Sequence, residues 1–561
     1  MTNNNFNMAT IHFLPGRKTL SVADGTNLLD AARKAAVSLD APCDGSGTCG
    51  KCRVKIPAAQ RQFLQEAPHD WLTPAERAEG WVLACQSTIH GDLQVELEQC
   101  DDDELKILSE GRAVAISINP WITKSFDATS GQTTVNGGGT LLAKEHGDTT
   151  RALFGVAVDI GTTTLVAALI DLRDGREMSV ASSLNPQARH AQDVLSRIKI
   201  GSQPDGLQLL HGELIAELNR LIHDAAAEAA VSVDHIYEVV FSGNTTMLHL
   251  ATRTNPASLG KYPYTPALEC GRHLPAADNG LAIARSGKIY LPPIMSAYVG
   301  ADITSGILAA NLAALPGVTL FVDIGTNGEM VLAVNGKLTA TSTAAGPAFE
   351  GMNIACGMRA SRGAIEVVSL AGDNVEIKTI ADAPPVGLCG SGLLDVVGEL
   401  AAHGGVDKNG RFQTNGALPK RPWRDHFGLL DGKPVFRIAD PVYLSQKDVR
   451  QVQLAKAAVR AGIELMLRAN QLAAAQVDRV LIAGSFGFHL RTASLIHLGL
   501  LPQEFKDRVE FVGNTSKSGA RAFLLNHLLR DELKQLVQQV RVLELANDPA
   551  FEKTFVKALS F

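Results

Sequence analysis

An apolar strand ending in Asp-Ile-Gly-Thr is written twice in this chain, as FGVAVDIGTTT over Phe154 to Thr164 and as LFVDIGTNGE over Leu320 to Glu329. The copies stand too far apart for a solenoid array, so the chain reads as two related halves made by duplication. Around them, from Leu153 to about Leu545, apolar strands alternate with Ala/Leu-rich helices, the pattern of a layered α/β domain. A third apolar strand, VLIAGSFGF over Val480 to Phe488, breaks at Gly484-Ser485.

The repeated turn has a chemical logic. Gly161 permits a tight hairpin whose N–H groups, with the hydroxyls of Thr162, Thr163 and Thr164, can cradle phosphate, and Asp159 suits a hydrated Mg2+. Asp323, Gly325, Thr326 and Asn327 supply the same kind of loop from the other half, so that two facing loops clamp a triphosphate. One such loop is weak, because any strand-turn carries Gly and Asp. Three breaks in this order resemble the phosphate-one, phosphate-two and adenosine motifs of actin, the sugar kinases and the heat-shock chaperone ATPases. That resemblance implies a ribonuclease H-like fold and ATP with Mg2+. It also implies roles: Asp159 and Asp323 for the metal and the attacking water, Thr162 to Thr164 and Thr326-Asn327 for phosphates, Gly484 and Ser485 facing the adenosine.

The first hundred residues differ in character. Residues 9 to 23 alternate as a hairpin and Asn27 to Val37 has helical periodicity with Leu28, Leu29, Ala32 and Ala36 on one face. A glycine-rich loop follows, then a strand at Cys52 to Ile56, a helix opened by Thr73-Pro74 with Glu76 at capping-box distance, and a strand at Leu93 to Leu97. This is a β-grasp-like pattern. PCDGSGTCGKC spaces Cys43, Cys49 and Cys52 as C-x5-C-x2-C, and Cys85 follows in GWVLACQS. Four thiolates suit a [2Fe-2S] cluster, with two soft ligands to each iron. A structural zinc site usually pairs two short knuckles, and only one is present. Gly45 to Lys51 reads as G-x4-G-K, but Cys52 stands where a Walker A loop needs Ser or Thr. The segment resembles the adrenodoxin-like ferredoxins over residues 9 to 99.

At 561 residues the chain exceeds one ordinary domain. The expected units are a ferredoxin-like domain at 9–99, a linker and reduced middle segment at 100–152, ATPase-like halves at 153–315 and 316–545, and a tail at 546–561. The Gly/Thr-rich stretch TSGQTTVNGGGT reads as linker. Lys+Arg 52 against Asp+Glu 58 leaves a net charge of −6, which favours neither nucleic acid nor an anionic membrane surface. With no signal peptide pattern at MTNNNFNMAT and no long apolar run, the expected location is cytoplasmic. Four of the eight cysteines crowd between 43 and 85, which points to metal binding rather than a disulfide scaffold. Cys356 and Cys389 read as buried thiols, and His12, His249 and His489 as packed. Gly243 to Thr246 and Gly513 to Ser516 each read equally as a helix cap or as a turn facing nucleotide or partner.

Five segments go beyond the superfamily: NPQARHAQDVLSRI, SGNTTMLHL, SAYVGADI, AGPAFEG and LCGSGLLD. With the ferredoxin they resemble the reductive activators of corrinoid-dependent methyltransferases. The resemblance implies ATP-dependent return of a cobalt(II) corrinoid protein to cobalt(I), one electron at a time from the cluster. It implies an upstream electron donor and admits a homodimer. Each 100 mV of uphill potential costs roughly 2.3 kcal/mol for one electron, which is why such a donor needs ATP. Three alternatives stand beside it: an electron donor to another metalloenzyme such as a radical dehydratase, a small-molecule kinase with a redox-sensing ferredoxin, and a non-enzymatic module in which ATP acts as a switch.

Overall fold

The computed structural model describes the chain except residues 1–7, 15–17, 36, 38, 40–44, 46, 48, 49, 51, 70, 98–115, 371–373, 414–421 and 485–489. The alternating residues of the amino-terminal domain form a five-stranded sheet in the order Lys18–Ala23, Met8–Leu14, Leu93–Leu97, Arg53–Lys55, Trp81–Leu83. Its first and last strands pair in parallel at the centre, Ile11 opposite Leu93 and Phe13 opposite Val95, and all four side chains are buried. The helix Leu28–Lys34 starts where the Asn27 side chain accepts the Leu29 N–H, and it lays Leu28, Leu29, Ala31 and Ala32 on this sheet. Ala36 lies outside the described residues. The capping box at Thr73 is present: Thr73 Oγ accepts from the Glu76 amide at 3.2 Å, and Glu76 returns a carboxylate to the Thr73 amide at 2.7 Å.

Part of the segment expected as linker is a three-stranded antiparallel sheet, Ile122–Asp127, Gln132–Gly137 and Thr140–His146. Period-two alternation outweighs the linker-like composition, because Thr133 and Val135 point inward and Val135 joins Ile122 in the core of the first half. The glycines serve contact rather than mobility. A Cβ on Gly137 would lie 2.5 Å from the Trp121 ring, and one on Gly138 2.4 Å from its Nε1. Trp121 in turn stacks on His273 at 3.9 Å.

A second tie holds this sheet to the first half. Glu145 accepts from Lys124 Nζ at 2.7 Å, from the Tyr237 hydroxyl at 2.7 Å and from Thr149 Oγ1. Burial pushes its carboxyl up, but these donors outweigh burial and carry it from 4.5 down to about 2. The unfolded chain binds the proton first, so this stabilisation is full above about pH 4.5 and is lost as pH falls towards 2. Glu145→Gln should therefore flatten the acid limb of a Tm-against-pH profile across that window. An unchanged limb would assign acid lability elsewhere.

The duplication is visible in the sheets. In the first, the strand Phe154–Ile160 pairs antiparallel with Thr164–Asp171, which pairs antiparallel with Glu177–Leu184, while Ile236–Gly243 lies parallel on the other side. In the second, Val318–Ile324, Gly328–Val334 and Lys337–Thr343 repeat that meander, with Arg479–Ala483 as the parallel neighbour. Each half then adds one more parallel strand, Lys288–Leu291 and Val509–Gly513. Asp159 and Asp323 thus stand at equivalent positions, one residue before the end of the leading strand in each half.

The chain returns to the first half near its end. The helix Thr515–Leu525 leaves the second sheet but packs Leu524 and Leu525 into a core with Ala157, Ala168 and Ile170. Lys517 Nζ reaches Glu177 at 2.8 Å, and Arg530 pairs with buried Glu238 at 2.9 Å. Within the expected tail, Phe551–Ala558 is a helix, and the carbonyl of Leu559 accepts from Gln453 on the long helix Gln446–Ala469. No helix among the described residues is long and apolar enough to cross a membrane.

Candidate nucleotide cleft and cluster loop

The two repeated turns face each other across one cleft, lined among others by Asp159, Gly161 to Thr164, Asp323, Gly325 to Asn327 and Gly484. In each turn a glycine amide closes the loop: Gly161 N–H donates to Thr164 O at 3.0 Å and Gly325 N–H to Asn327 O at 3.1 Å. Gly484 has φ +123°, and a Cβ there would lie 2.4 Å from Ile324 O. Only glycine lets this third strand end against the second loop. Ser485, like His489, lies outside the described residues.

The family-like segments explain how the first loop is held. Asn185 Nδ2 donates to Gly161 O at 2.8 Å. Arg197 is fully buried, with Nη2 on Thr162 O at 2.6 Å and Nη1 on Gln187 Oε1 at 3.0 Å. Burial pulls this guanidinium down to about 9, against the nearby charges of Asp193 and Glu350. A cation kept in the interior by carbonyl acceptors fixes the backbone it touches. Arg197→Met should loosen the loop and weaken nucleotide binding about tenfold, by titration calorimetry, a loss of about 1.4 kcal/mol. Unchanged affinity would show that the loop is held without it.

Both Gly-Asn-Thr turns do two jobs at once. Asn244 Oδ1 caps its helix on the Met247 amide at 3.0 Å while Nδ2 donates to Thr162 Oγ1 at 3.0 Å. Asn514 Oδ1 caps on the Lys517 amide at 2.9 Å while Nδ2 donates to Asp159 Oδ2 at 2.8 Å. Ser516 Oγ donates to Asp159 Oδ1 at 2.7 Å. Each turn therefore caps a helix and also holds a residue of the cleft.

Carboxylates crowd the cleft beyond the two the repeat supplies. Asp302, from SAYVGADI, and Glu329, which follows the second loop, also line it. Burial, reinforced by the charge of Asp159, raises Asp323 to about 7, and burial with the charge of Asp323 raises Asp302 to about 8. Glu329 is raised by burial and by both neighbours, and burial also raises Asp159 despite its two donors. Asp323 has no hydrogen-bond donor among the described residues. So many acids with so little compensation fit a divalent cation. Among the described residues no three His, Cys, Asp or Glu close a metal site alone. That suits Mg2+, which is held by one or two carboxylates plus phosphates and water. The Thr515 hydroxyl, buried at the cleft, has no protein partner among the described residues.

Of the four cysteines, Cys52 and Cys85 are described and buried, and Cys43 and Cys49 lie outside the described residues. The Cys85 amide donates to Cys52 Sγ at 3.4 Å. Gly45, Gly47 and Gly50 between them take φ of +82°, +76° and +67°. Two buried cysteines, an amide of one aimed at the sulfur of the other, and a loop turned by positive-φ glycines fit an iron–sulfur cluster. Trp71 braces this loop, its Nε1 donating to Gly47 O at 2.8 Å. On the ring's face, Lys447 Nζ from the helix Gln446–Ala469 lies 4.3 Å from the centroid.

Of the other groups expected to be packed, His12 is instead exposed: alternation along the strand Met8–Leu14 turns it away from buried Ile11 and Phe13, and its Nδ1 lies 3.0 Å from Thr19 Oγ1. His249 is buried, with Nδ1 on Thr245 O and Nε2 accepting the amides of Ala267 and Leu268. Cys389 is buried, its Sγ donating to Ile365 O, and Cys356 is half-buried.

A cleft of this kind, joined to a ferredoxin domain, defines the class: an ATPase of the actin and sugar-kinase fold that carries its own electron donor. Family models agree in chain order, with the 2Fe-2S iron-sulfur cluster binding domain at residues 11–90, the RACo middle region at 154–314 and the C-terminal domain of RACo, the ASKHA domain, at 317–561. The chain is 32% identical to the corrinoid activation enzyme RamQ of Eubacterium limosum, over 73% of this chain and 71% of that one. It is 23% identical to the [Co(II) methylated amine-specific corrinoid protein] reductase of Methanosarcina barkeri, over 73% and 77%. The solved reductive activator for corrinoid,iron-sulfur protein superposes with a TM-score of 0.70 at 30% identity, covering 99% of this chain and 98% of that one. The chain belongs to the RACo family of reductive activators. The middle-region match covers residues 154–314 and follows the segment 100–152 in the chain.

Proposed function

We propose that this protein reductively activates a corrinoid protein of a methyltransferase system, returning cobalt(II) to cobalt(I) by one-electron transfer at the expense of ATP. The observation that carries this is the union in one chain of the cysteine loop and the paired Asp-Ile-Gly-Thr cleft, in a family whose characterised members act on corrinoid proteins. When bound, the cluster on Cys43, Cys49, Cys52 and Cys85 supplies the electron, and Mg-ATP supplies the free energy.

The chain's own residues divide the rest. Asp159 and Asp323 hold the cation and orient water, with Asn514 and Ser516 fixing the Asp159 carboxylate. Thr162 to Thr164, Thr326 and Asn327 present donors to the phosphates, and Gly161 and Gly325 shape the turns. Gly484, at the break where the motif continues with Ser485, borders the nucleoside side. A nucleotide that contacts both halves favours the closed cleft over the open one, and that difference in affinity is what couples ATP to a partner's state. The working setting is cytoplasmic, with a separate reductant upstream of the cluster.

The test mixes purified protein, reductant and a cobalt(II) corrinoid protein and follows cobalt(I) absorbance with and without Mg-ATP. ATP-dependent reduction is expected. Its absence across several corrinoid partners would sink the reading, and formation of a phosphorylated metabolite would favour the kinase.

A further inference from the structure

One side chain spans the cleft without a role in the reading above. Glu350 ends the short turn Pro347–Glu350, in the segment AGPAFEG. Its Oε2 accepts from Thr163 Oγ1 in the first loop, and its Oε1 accepts from Thr326 Oγ1 in the second at 2.6 Å. The turn is anchored at its start, where the Gly346 amide donates to Thr326 O at 2.9 Å. The helix Gly390–Ala402 backs it so closely that a Cβ on Gly390 would lie 1.8 Å from Phe349 O. A carboxylate accepting one hydroxyl from each of two phosphate loops does what a phosphoryl group does there, since both are acceptor-only anions.

We propose that Glu350 occupies the seat of the nucleotide's terminal phosphate and is displaced by it; this rests on the nucleotide reading of the cleft. Two anions cannot share those hydroxyls, because like charges a few ångströms apart in a partly buried site are poorly screened and repel. A diphosphate leaves Glu350 in place, and a triphosphate drives it out. The device tells ATP from ADP.

The segment that follows Glu350 gives the displacement somewhere to go. The Ala355 amide donates to Asp448 Oδ1 at 2.9 Å, and the Tyr443 amide to Cys356 Sγ at 3.5 Å. Asp448 lies in the first turn of the helix Gln446–Ala469, where its carboxylate accepts the amide of the cap Ser445, and its neighbour Lys447 lies over Trp71, the brace of the cluster loop. Release of Glu350 therefore pulls on the seat of the ferredoxin domain.

The experiment compares Mg-AMPPNP and Mg-ADP binding by calorimetry on the parent, Glu350→Ala and Glu350→Gln. Glu350→Ala should bind AMPPNP about tenfold tighter with ADP changed less than about twofold, and Glu350→Gln, which keeps the shape without the charge, should fall between. AMPPNP affinity that is unchanged or weaker, or that moves together with ADP, overturns the proposal. A parent that binds neither nucleotide overturns the underlying reading and this one with it. The parent minus Trp71→Phe fluorescence difference should shift on AMPPNP, and Glu350→Ala should show that shift without nucleotide. A flat difference signal in both overturns the link to the cluster loop.

Discussion

Cys52→Ala is expected to abolish the visible absorption of the cluster and bring electron delivery to background, while nucleotide binding stays within about twofold of the parent. Cys52 lies at the start of a central strand of the amino-terminal sheet, and its Sγ receives the Cys85 amide, so the substitution removes a ligand and orphans a buried N–H. Two irons with bridging sulfides need all four thiolates. Cys49→Ala should give the same spectrum. Retention of the cluster spectrum in either variant would show the ligand set to be wrong. No described residue of the cluster loop lines the nucleotide cleft, so the expected change in nucleotide affinity is small.

Asp323→Ala is expected to do the reverse. ATP turnover should fall by about 10²- to 10⁴-fold, the range for losing a group that positions or deprotonates water, with the cluster spectrum intact. The substitution also removes one anion from a crowded group, and Asp302 and Glu329 both feel its charge. Binding of nucleotide without Mg2+ should therefore strengthen even as turnover collapses. Equal loss of affinity with and without Mg2+ would show that Asp323 acts as a structural support and not at the metal.

The parts of the site that could be read from the sequence are those written as local patterns. The cysteine spacing, the two Asp-Ile-Gly-Thr turns and the Asn caps each sit within a few residues, and short-range geometry decides them. Asp302, Glu329 and Glu350 were quoted within motifs but given no role, because nothing local distinguishes a carboxylate aimed into a cleft from one on a solvated face. Tertiary packing brings them together. Arg197 was hidden for a related reason: its partners are carbonyl oxygens, which every residue carries. Around Gln132–Gly137 composition points to linker and alternation to strand, and alternation decides; Gly137 and Gly138 make room for Trp121. The turn at Gly513 to Ser516 reads as a helix cap, but nothing local says which sheet the apolar face of Thr515–Leu525 meets.

That last helix bears on how the protein is made. Asp159 takes donors from Asn514 and Ser516, positions 355 and 357 residues further along the chain. Glu238 is matched by Arg530, and the core around Ala157 and Ile170 is closed by Leu524 and Leu525. On the ribosome the first half is complete in sequence long before it is complete in structure. Until residue 530 or so has emerged, its sheet shows an apolar face and its buried acid lacks a cation. Contacts of such separation make folding slow, and exposed strands invite aggregation in the interval. The two halves are duplicated in design but not separable as fragments: a cut near residue 315 yields a lobe missing its own wall, and co-expression of both pieces is needed to restore it.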